Sequence, residues 1–148
     1  MLKELQSGDT ELFRDLLKVF ADAFDEEEEY LSAQPKSSYL EALLKREDII
    51  VLIASDEDKV VGGLIAYIYD KFEQERREVY VYDLAVAASY RRRGIARSML
   101  EKIKVIAKRE GAYIVSIAAD KGDVPPNNLY ASMAKGESEE AIYYEIRV

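Results

Sequence analysis

The sequence contains neither cysteine nor histidine. Without cysteine, the chain can form no disulfide bond and has no thiolate nucleophile. Without histidine, it lacks the commonest general base, so a catalytic triad that depends on histidine is excluded. A zinc site made of the usual ligands is excluded as well, and we expect no bound metal. Any acid–base chemistry must therefore come from Asp, Glu, Tyr or Lys side chains.

Long apolar runs are also missing. No segment approaches the roughly 18 consecutive apolar residues that span a membrane, and the first residues, MLKELQSGDTELF, lack the apolar core of a signal peptide. A length of 148 residues suits one domain with a sizeable core. We therefore expect a single domain over residues 1–148, located in the cytoplasm and without a membrane partner.

Positive charge is in deficit, because 29 acidic residues outnumber 21 basic ones and the formal net charge is -8. This balance argues against nucleic acid as a partner, since phosphate binding needs a basic surface. It favours a cationic partner or simple solubility. Much of the acid lies in DAFDEEEEY, residues 22–30. This segment is either a solvated helix end or one wall of a cation-binding cleft.

The hydrophobic period changes along the chain. Apolar residues at helical spacing predict helices in TELFRDLLKVFADAF, SSYLEALLKRE, GIARSMLEKIKVIAKREG and VPPNNLYASMAKG. Other runs predict strands in LKEL, DIIVLIA, VVGGLIAYIYDKF, REVYVYDLAVAA, AYIVSIAAD (a buried strand) and EEAIYYEIRV, with SDEDK as a hairpin turn. The order β-α-α-β-β-β-α-β-α-β predicts an α+β fold whose mostly antiparallel sheet contains one parallel crossover.

One stretch, RRRGIA at residues 91–96, runs against the acidic balance. It lies between a predicted strand and a predicted helix, where the first N–H groups of the helix lack intrahelical partners and attract anions. Gly94 allows close approach to the backbone, and arginines supply donors for phosphate oxygens. The stretch is neither a P-loop nor a dinucleotide fingerprint. It is either a phosphate site or a basic turn ahead of a helix.

The pattern Arg91-x-x-Gly94-x-Ala96, after a strand ending in LAV, resembles the acetyl-CoA signature of the GNAT N-acetyltransferase superfamily. The resemblance implies a mixed, mostly antiparallel sheet of six or seven strands with about four helices, in which two parallel strands splay apart. It also implies acetyl-CoA as cosubstrate. The residues expected to hold its pantetheine arm are Leu84, Ala85 and Val86, and those expected to hold its diphosphate are Arg91, Arg92, Arg93, Gly94, Ile95 and Ala96.

The joint spacing of KFEQ, EVYVYDLAV, RRRGIA and GAY is similar to the type I aminoglycoside 3-N-acetyltransferases. This narrower resemblance implies acetylation of the 3-amino group of an aminoglycoside, such as gentamicin, and antibiotic resistance. The segment Met133 to Gly136 departs from the Leu-Gly pair usual in that group. The C-terminus is also short, so a seventh strand is either missing or supplied by a partner, and a homodimer is consistent with this.

Two residues are candidates for the chemistry of acetyl transfer to an amine. Asp83 precedes the segment expected to bind pantetheine, where a carboxylate could anchor an ammonium and accept its proton, or alternatively only fix a strand bulge. Tyr130, in NNLYASM, lies where GNAT enzymes commonly carry a tyrosine that protonates the departing thiolate, or alternatively packs in the core. Asn127 or Asn128 either holds pantetheine or caps the helix.

Further acids could line a pocket for a polycationic amine, although each alone is ordinarily a surface charge. They are Glu78, Asp120, Asp123 and Glu139. Since no cysteine exists to carry an acetyl group, we expect direct transfer in a ternary complex. Two other functions stay open: a polyamine or protein-lysine acetyltransferase, and an acyl-CoA-binding regulatory domain without turnover.

Overall fold

The computed structural model describes the whole chain, residues 1–148, which forms two compact units, Met1–Ile117 and Ala118–Val148. The first unit contains one five-stranded sheet in the order β1-β2-β3-β4-β5. The strands are β1 (Leu2–Glu4), β2 (Ile49–Asp56), β3 (Lys59–Asp70), β4 (Arg77–Val86) and β5 (Ala112–Ile117). The helices are α1 (Thr10–Ala23), α2 (Glu27–Leu31), α3 (Ser37–Leu44), α4 (Ile95–Arg109) and, in the second unit, α5 (Val124–Ala134).

The α+β class and the mixed sheet are confirmed. β1 to β4 pair antiparallel, and β4 and β5 pair parallel through the crossover helix α4. β2 and β3 form the predicted hairpin, in which Asp56 pairs with Lys59. Glu57 in the turn has a φ of 52°, a left-handed conformation that tight turns require.

One face of the sheet is covered by α1 and α3. The apolar stripe of α1 buries Phe13, Leu16 and Phe20 against a cluster that includes Ala85 of β4. Gly63 makes this packing close, because a Cβ atom there would meet the Leu16 side chain and the Leu52 carbonyl oxygen. As a result, α1 and the α2 segment that follows it lie on the same face as Ala85.

The opposite face is covered by α4. Its buried side chains are Met99, Leu100, Ile103, Ile106 and Ala107, at the helical spacing predicted from the sequence. The side-chain alternation of β4 directs Val79 and Val81 to this face, and both are almost completely buried. α4 therefore fixes β4 relative to β5, which positions the end of β4 where the predicted site lies.

The prediction of a buried strand in AYIVSIAAD is wrong in part. β5 lies at the edge of the sheet and pairs with β4 alone. The side chains of Tyr113 and Ile114 are 48% and 39% exposed. A strand with a neighbour on one side only leaves its other edge open, which explains the exposure.

The predicted strand EEAIYYEIRV is not formed, and the sheet has five strands rather than six or seven. α5 ends at Ala134, where Lys135 and Gly136 both have positive φ angles, and residues 137–148 adopt no regular secondary structure. Ile142, Tyr143 and Ile146 are largely exposed. Alternating apolar residues favour a strand only where a neighbouring strand pairs with them, and these residues pair with none.

The number of helices is five, against the four segments predicted to be helical, because α2 forms within the acidic segment.

Candidate active site

The predicted splay lies at the end of β4. The ladder between β4 and β5 runs from Arg77 opposite Ala112 to Val81 opposite Ile117. β4 continues to Val86, so its last part pairs with β3 on one edge and with no strand on the other. Leu84, Ala85 and Val86, the residues expected to bind pantetheine, all lie in this part. Because β5 ends at Ile117, their backbone has no strand partner on that edge.

A β-bulge precedes this opening. On β3, Ile65 pairs with Asp83 and Ala66 pairs with Val81, which leaves Tyr82 as the extra residue of β4. Bulges bend a strand and re-aim the side chains beside it. From the sequence, a bulge and a functional role are alternatives for Asp83. The structure shows the bulge, and it directs Asp83 towards the face covered by α1 and α2.

Asp83 accepts a hydrogen bond from Tyr30 of α2, with 2.8 Å between Tyr30 Oη and Asp83 Oδ2. Both side chains are half-buried. Burial raises the pKa of Asp83, and the hydrogen bond from Tyr30 opposes this rise. No lysine or arginine offsets the burial. Asp83 is thus a partly desolvated carboxylate that lacks a cationic partner from the protein, which suits it to receive a cation from outside.

Tyr30 was missed by sequence reasoning. It ends the acidic run DAFDEEEEY, and 53 residues separate it from Asp83. Its ring packs against Phe20 and Phe24, with centroids 6.0 and 6.1 Å away. Burial, followed by the charge and hydrogen bond of Asp83, raises the pKa of Tyr30. The tyrosine therefore stays protonated and serves as a fixed donor. The only sequence feature that pointed to this region was the acidic run itself, for which one wall of a cation-binding cleft was one of two interpretations.

The loop after β4 builds the second half of the site. A short 3-10 turn, Ala88–Tyr90, leads into Arg91, and both Arg92 and Gly94 have positive φ angles, 62° and 79°. Gly94 is the N-cap residue of α4, and no side chain caps the helix. Positive φ angles on either side of Arg93 are the kind of backbone conformation in which successive N–H groups can form a concave surface suited to an anion. The N–H groups of Ile95 and Ala96 add to it, because the first residues of a helix lack intrahelical acceptors.

The arginines of this loop mainly shape it. Arg91 Nε donates to the carbonyl oxygen of Val86 at 3.0 Å, which ties the loop to the end of β4. Arg93 donates to the Ser89 carbonyl oxygen at 2.9 Å and lies over the Tyr90 ring. Both guanidinium groups still belong to exposed residues. They supply positive charge around the concave N–H surface, although each also donates a hydrogen bond to a backbone carbonyl.

Glu78, one of the predicted substrate-binding acids, is engaged by its neighbours. It accepts a hydrogen bond from Ser116 at 2.7 Å. It also forms an ion pair with Lys71, whose Nζ lies 3.4 Å from Glu78 Oε2. Burial alone would raise the pKa of Glu78, but hydrogen bonds from Ser116, Tyr69 and Lys71 outweigh it, so the pKa is lowered. Glu78 lies on the same strand as Asp83, yet unlike Asp83 it is already neutralised.

The remaining predicted residues lie in the second unit. Asp120, Asp123 and Glu139 are exposed. Asn127 Nδ2 donates to the carbonyl oxygens of Asp120 and Asp123, each at 2.7 Å, so this side chain braces the turn before α5. Tyr130 is half-buried on α5, and burial, followed by the charge of Asp123, raises its pKa. This tyrosine therefore remains protonated at neutral pH.

No group of three or more His, Cys, Asp or Glu side chains is arranged to hold a metal ion. None of the helices combines the length and the apolar character needed to cross a bilayer.

Comparison with known proteins connects these features to a family. The model of the acetyltransferase (GNAT) family matches residues 11–134. No curated protein matches the chain. Among solved structures, the aminoglycoside acetyltransferase HMB0005 from an uncultured soil metagenomic sample is 37% identical, with a TM-score of 0.93, over 100% of this chain and 97% of that one.

Two further structures extend the comparison. The aminoglycoside acetyltransferase meta-AAC0020, also from an uncultured soil metagenomic sample and in complex with sisomicin, is 26% identical with a TM-score of 0.92 over 100% of this chain and 95% of that one. AAC(6')-Iy, in complex with a bisubstrate analogue of CoA, is 15% identical with a TM-score of 0.79 over 100% of this chain and 98% of that one, and shows the fold alone. With a family match over most of its length and a relative of the same fold from end to end, the chain belongs to the GNAT acetyltransferase family.

Proposed function

We propose that this GNAT acetyltransferase transfers the acetyl group of acetyl-CoA to an aminoglycoside, with the 3-amino group as acceptor, and so confers resistance. The observation that carries the proposal is the half-buried Asp83 carboxylate, which has no cation of its own and lies beside the splayed end of β4. The likeness to HMB0005 and meta-AAC0020, both aminoglycoside acetyltransferases, supports the substrate class. The resemblance to type I 3-N-acetyltransferases supports the ring position.

The end of β4 and the start of α4 fit coenzyme A. The concave N–H surface from Arg92 to Ala96 would hold its diphosphate, since backbone N–H groups at an uncapped helix start bind phosphate oxygens. The unpaired edge of Leu84 to Val86 would bind the amide groups of pantetheine. When bound there, acetyl-CoA supplies an activated thioester.

Asp83 would bind the ammonium form of the acceptor and help to remove its proton. Tyr30 holds Asp83 Oδ2, which leaves Oδ1 for the amine. Because aminoglycoside amines are largely protonated at neutral pH, a carboxylate here both attracts the cation and accepts its proton, directly or through water. With neither cysteine nor histidine in the chain, no acyl-enzyme on cysteine forms and the amine attacks within a ternary complex.

Tyr130 is the proposed proton donor for the departing thiol. The match of its sequence position to the tyrosine of GNAT enzymes supports this role. A tyrosine hydroxyl carries its proton at neutral pH and so has one to donate. A phenol that stays protonated until a thiolate develops is a suitable general acid.

The test is to incubate the full chain with acetyl-CoA and gentamicin, follow the release of CoA thiol, and identify the product by mass spectrometry and NMR. We expect one added acetyl group on the 3-amino nitrogen. Acetylation at another ring nitrogen would contradict the 3-amino position but not the assignment of aminoglycosides as the substrate class. Turnover restricted to linear polyamines or lysine peptides would show that those amines, and not aminoglycosides, are the acceptors. Tight CoA binding without turnover of any amine would overturn the enzymatic function.

A further inference from the structure

Three tyrosines form a continuous aromatic surface beside Asp83. Tyr67 of β3 lies directly opposite Tyr80 of β4 in the sheet register. The Tyr67 and Tyr82 ring centroids are 5.8 Å apart at an interplanar angle of 84°, and those of Tyr80 and Tyr82 are 6.4 Å apart at 78°. These are edge-to-face contacts that hold the rings in fixed orientations. We call Tyr67, Tyr80 and Tyr82 the tyrosine surface.

The bulge explains why this surface adjoins Asp83. Tyr80 and Tyr82 are two residues apart and face the same side of the sheet. Because Tyr82 is the extra residue of the bulge, it lies next to Asp83 on the side covered by α2. In agreement with this, the phenol of Tyr82 lies close enough to Tyr30 to affect its pKa. The carboxylate and the three rings thus share one wall.

The surface is open to a ligand. The side chains of Tyr67 and Tyr82 are 37% and 61% exposed, and Tyr80 is half-buried. At the far end, Glu78 is occupied by Ser116 and Lys71. Of the two acids on β4, the one left without a protein cation is therefore Asp83, at one end of an exposed row of rings.

We infer that the tyrosine surface is a subsite that stacks against the aminosugar rings of the acceptor while Asp83 holds the reacting amine, so that the enzyme selects ring-bearing amines over linear ones. This inference rests on the proposed function and names the feature of the substrate that the site recognises. The C–H faces of a pyranose ring match aromatic faces in size and polarity, so an aminosugar ring can lie on the tyrosines. A linear polyamine can satisfy Asp83 but has no ring to place on the tyrosines.

The experiment compares two probes, gentamicin and the linear triamine spermidine, by calorimetric titration of the full chain in the presence of CoA. Replacing Tyr67 by alanine (Tyr67→Ala) should raise the Kd for gentamicin roughly three- to tenfold, the scale of one aromatic contact, and leave the Kd for spermidine unchanged. Tyr67→Phe keeps the ring and should bind gentamicin as the wild type does. Phe72→Ala, which removes a fully exposed aromatic ring from the turn between β3 and β4, is the control and should change neither Kd.

Saturation-transfer NMR gives a second readout. Irradiation of the aromatic protons should reach the ring C–H protons of gentamicin in the wild type and reach them less in Tyr67→Ala. An unchanged Kd for gentamicin in Tyr67→Ala, or an equal loss for gentamicin and spermidine, would overturn the inference.

The same variants separate this inference from the proposed function. If the wild type acetylates gentamicin but Tyr67→Ala binds it normally, the subsite is refuted and the function stands. If the wild type binds gentamicin with the predicted dependence on Tyr67 but never acetylates it, the subsite stands and the function is refuted. If the wild type binds spermidine but not gentamicin, both are refuted.

Discussion

Two regions of opposite chemistry meet at the end of β4. On one side, Tyr30, Tyr82 and Asp83 form a cluster of acid and aromatic side chains. On the other, the loop from Arg91 to Gly94 presents backbone N–H groups and arginines. Only residues 84–90 separate the two regions along the chain. An acidic protein has thus concentrated positive charge at one place, directly beside its most suitable site for a cation.

Under the proposed function, the two regions would select their ligands by different means. The anion side depends on backbone shape, since Arg92 and Gly94 adopt left-handed conformations and the helix start is left uncapped. Its arginines partly serve to hold that shape, as the contact from Arg91 to Val86 shows. The cation side depends on a single side chain, Asp83, held by one hydrogen bond from Tyr30. It follows that substitutions should weaken the two ligands separately.

The largest effect is expected for Asp83→Asn. This change keeps the shape of the side chain and removes the charge that binds the amine. We expect kcat/KM for gentamicin to fall by about 10³-fold, the scale of a lost general base and cation site, while the Kd for CoA is unchanged. Steady-state kinetics and CoA titration test this. Turnover within a few-fold of wild type would make Asp83 a structural bulge residue and move the base to Glu78, Asp120 or Asp123.

Tyr130→Phe should have the next largest effect. It keeps the ring and deletes the hydroxyl, so kcat should fall by roughly 10²-fold, as expected when a general acid is lost. The KM for acetyl-CoA should move little, because neither binding region is altered. A wild-type kcat in stopped-flow or steady-state assays would assign Tyr130 to packing alone.

Gly94→Glu tests the anion side. Its φ of 79° strains any L side chain, and a carboxylate there would repel the diphosphate. We expect the Kd for CoA to rise about tenfold or more, with amine binding retained. Gly111→Glu is the matched control, because Gly111 has a φ of 76° and open space around its Cβ position but lies after the other end of α4. Equal loss of CoA binding in both variants would assign the effect to strain rather than to the anion site.

Tyr30→Phe should have the smallest effect, and it appears in the pH dependence. Loss of the hydrogen bond removes the influence that lowers the pKa of Asp83, so the acidic limb of kcat/KM should move to higher pH. The other titratable groups near this pair, Glu26 and Tyr82, are unchanged by the substitution. Activity at pH 8 should stay close to wild type. Tyr39→Phe, on α3, should leave the profile where it is, and an unmoved limb in Tyr30→Phe would contradict the positioning role.

Local patterns made much of the fold predictable. The stripe of α4 and the hairpin of β2 and β3 follow from hydrophobic period and turn residues, which act over short distances. The glycine at the start of α4 was recognisable for the same reason. Tyr30 was not, because its contact with Asp83 depends on how α1 packs on β3 and on the turn at Asp25, whose φ is 53°. The C-terminal strand was predicted wrongly because strand propensity in residues 139–148 says nothing about whether a partner strand exists.

The most direct test of the account is calorimetric titration of CoA and gentamicin, each separately, against Asp83→Asn and Gly94→Glu. If the end of β4 joins two independent sites of opposite charge, Asp83→Asn will lose affinity for gentamicin and keep that for CoA, and Gly94→Glu will do the reverse. If both variants lower the affinities for both ligands to the same extent, the two regions act as one structural unit, and the assignment of CoA to one region and the amine to the other is wrong.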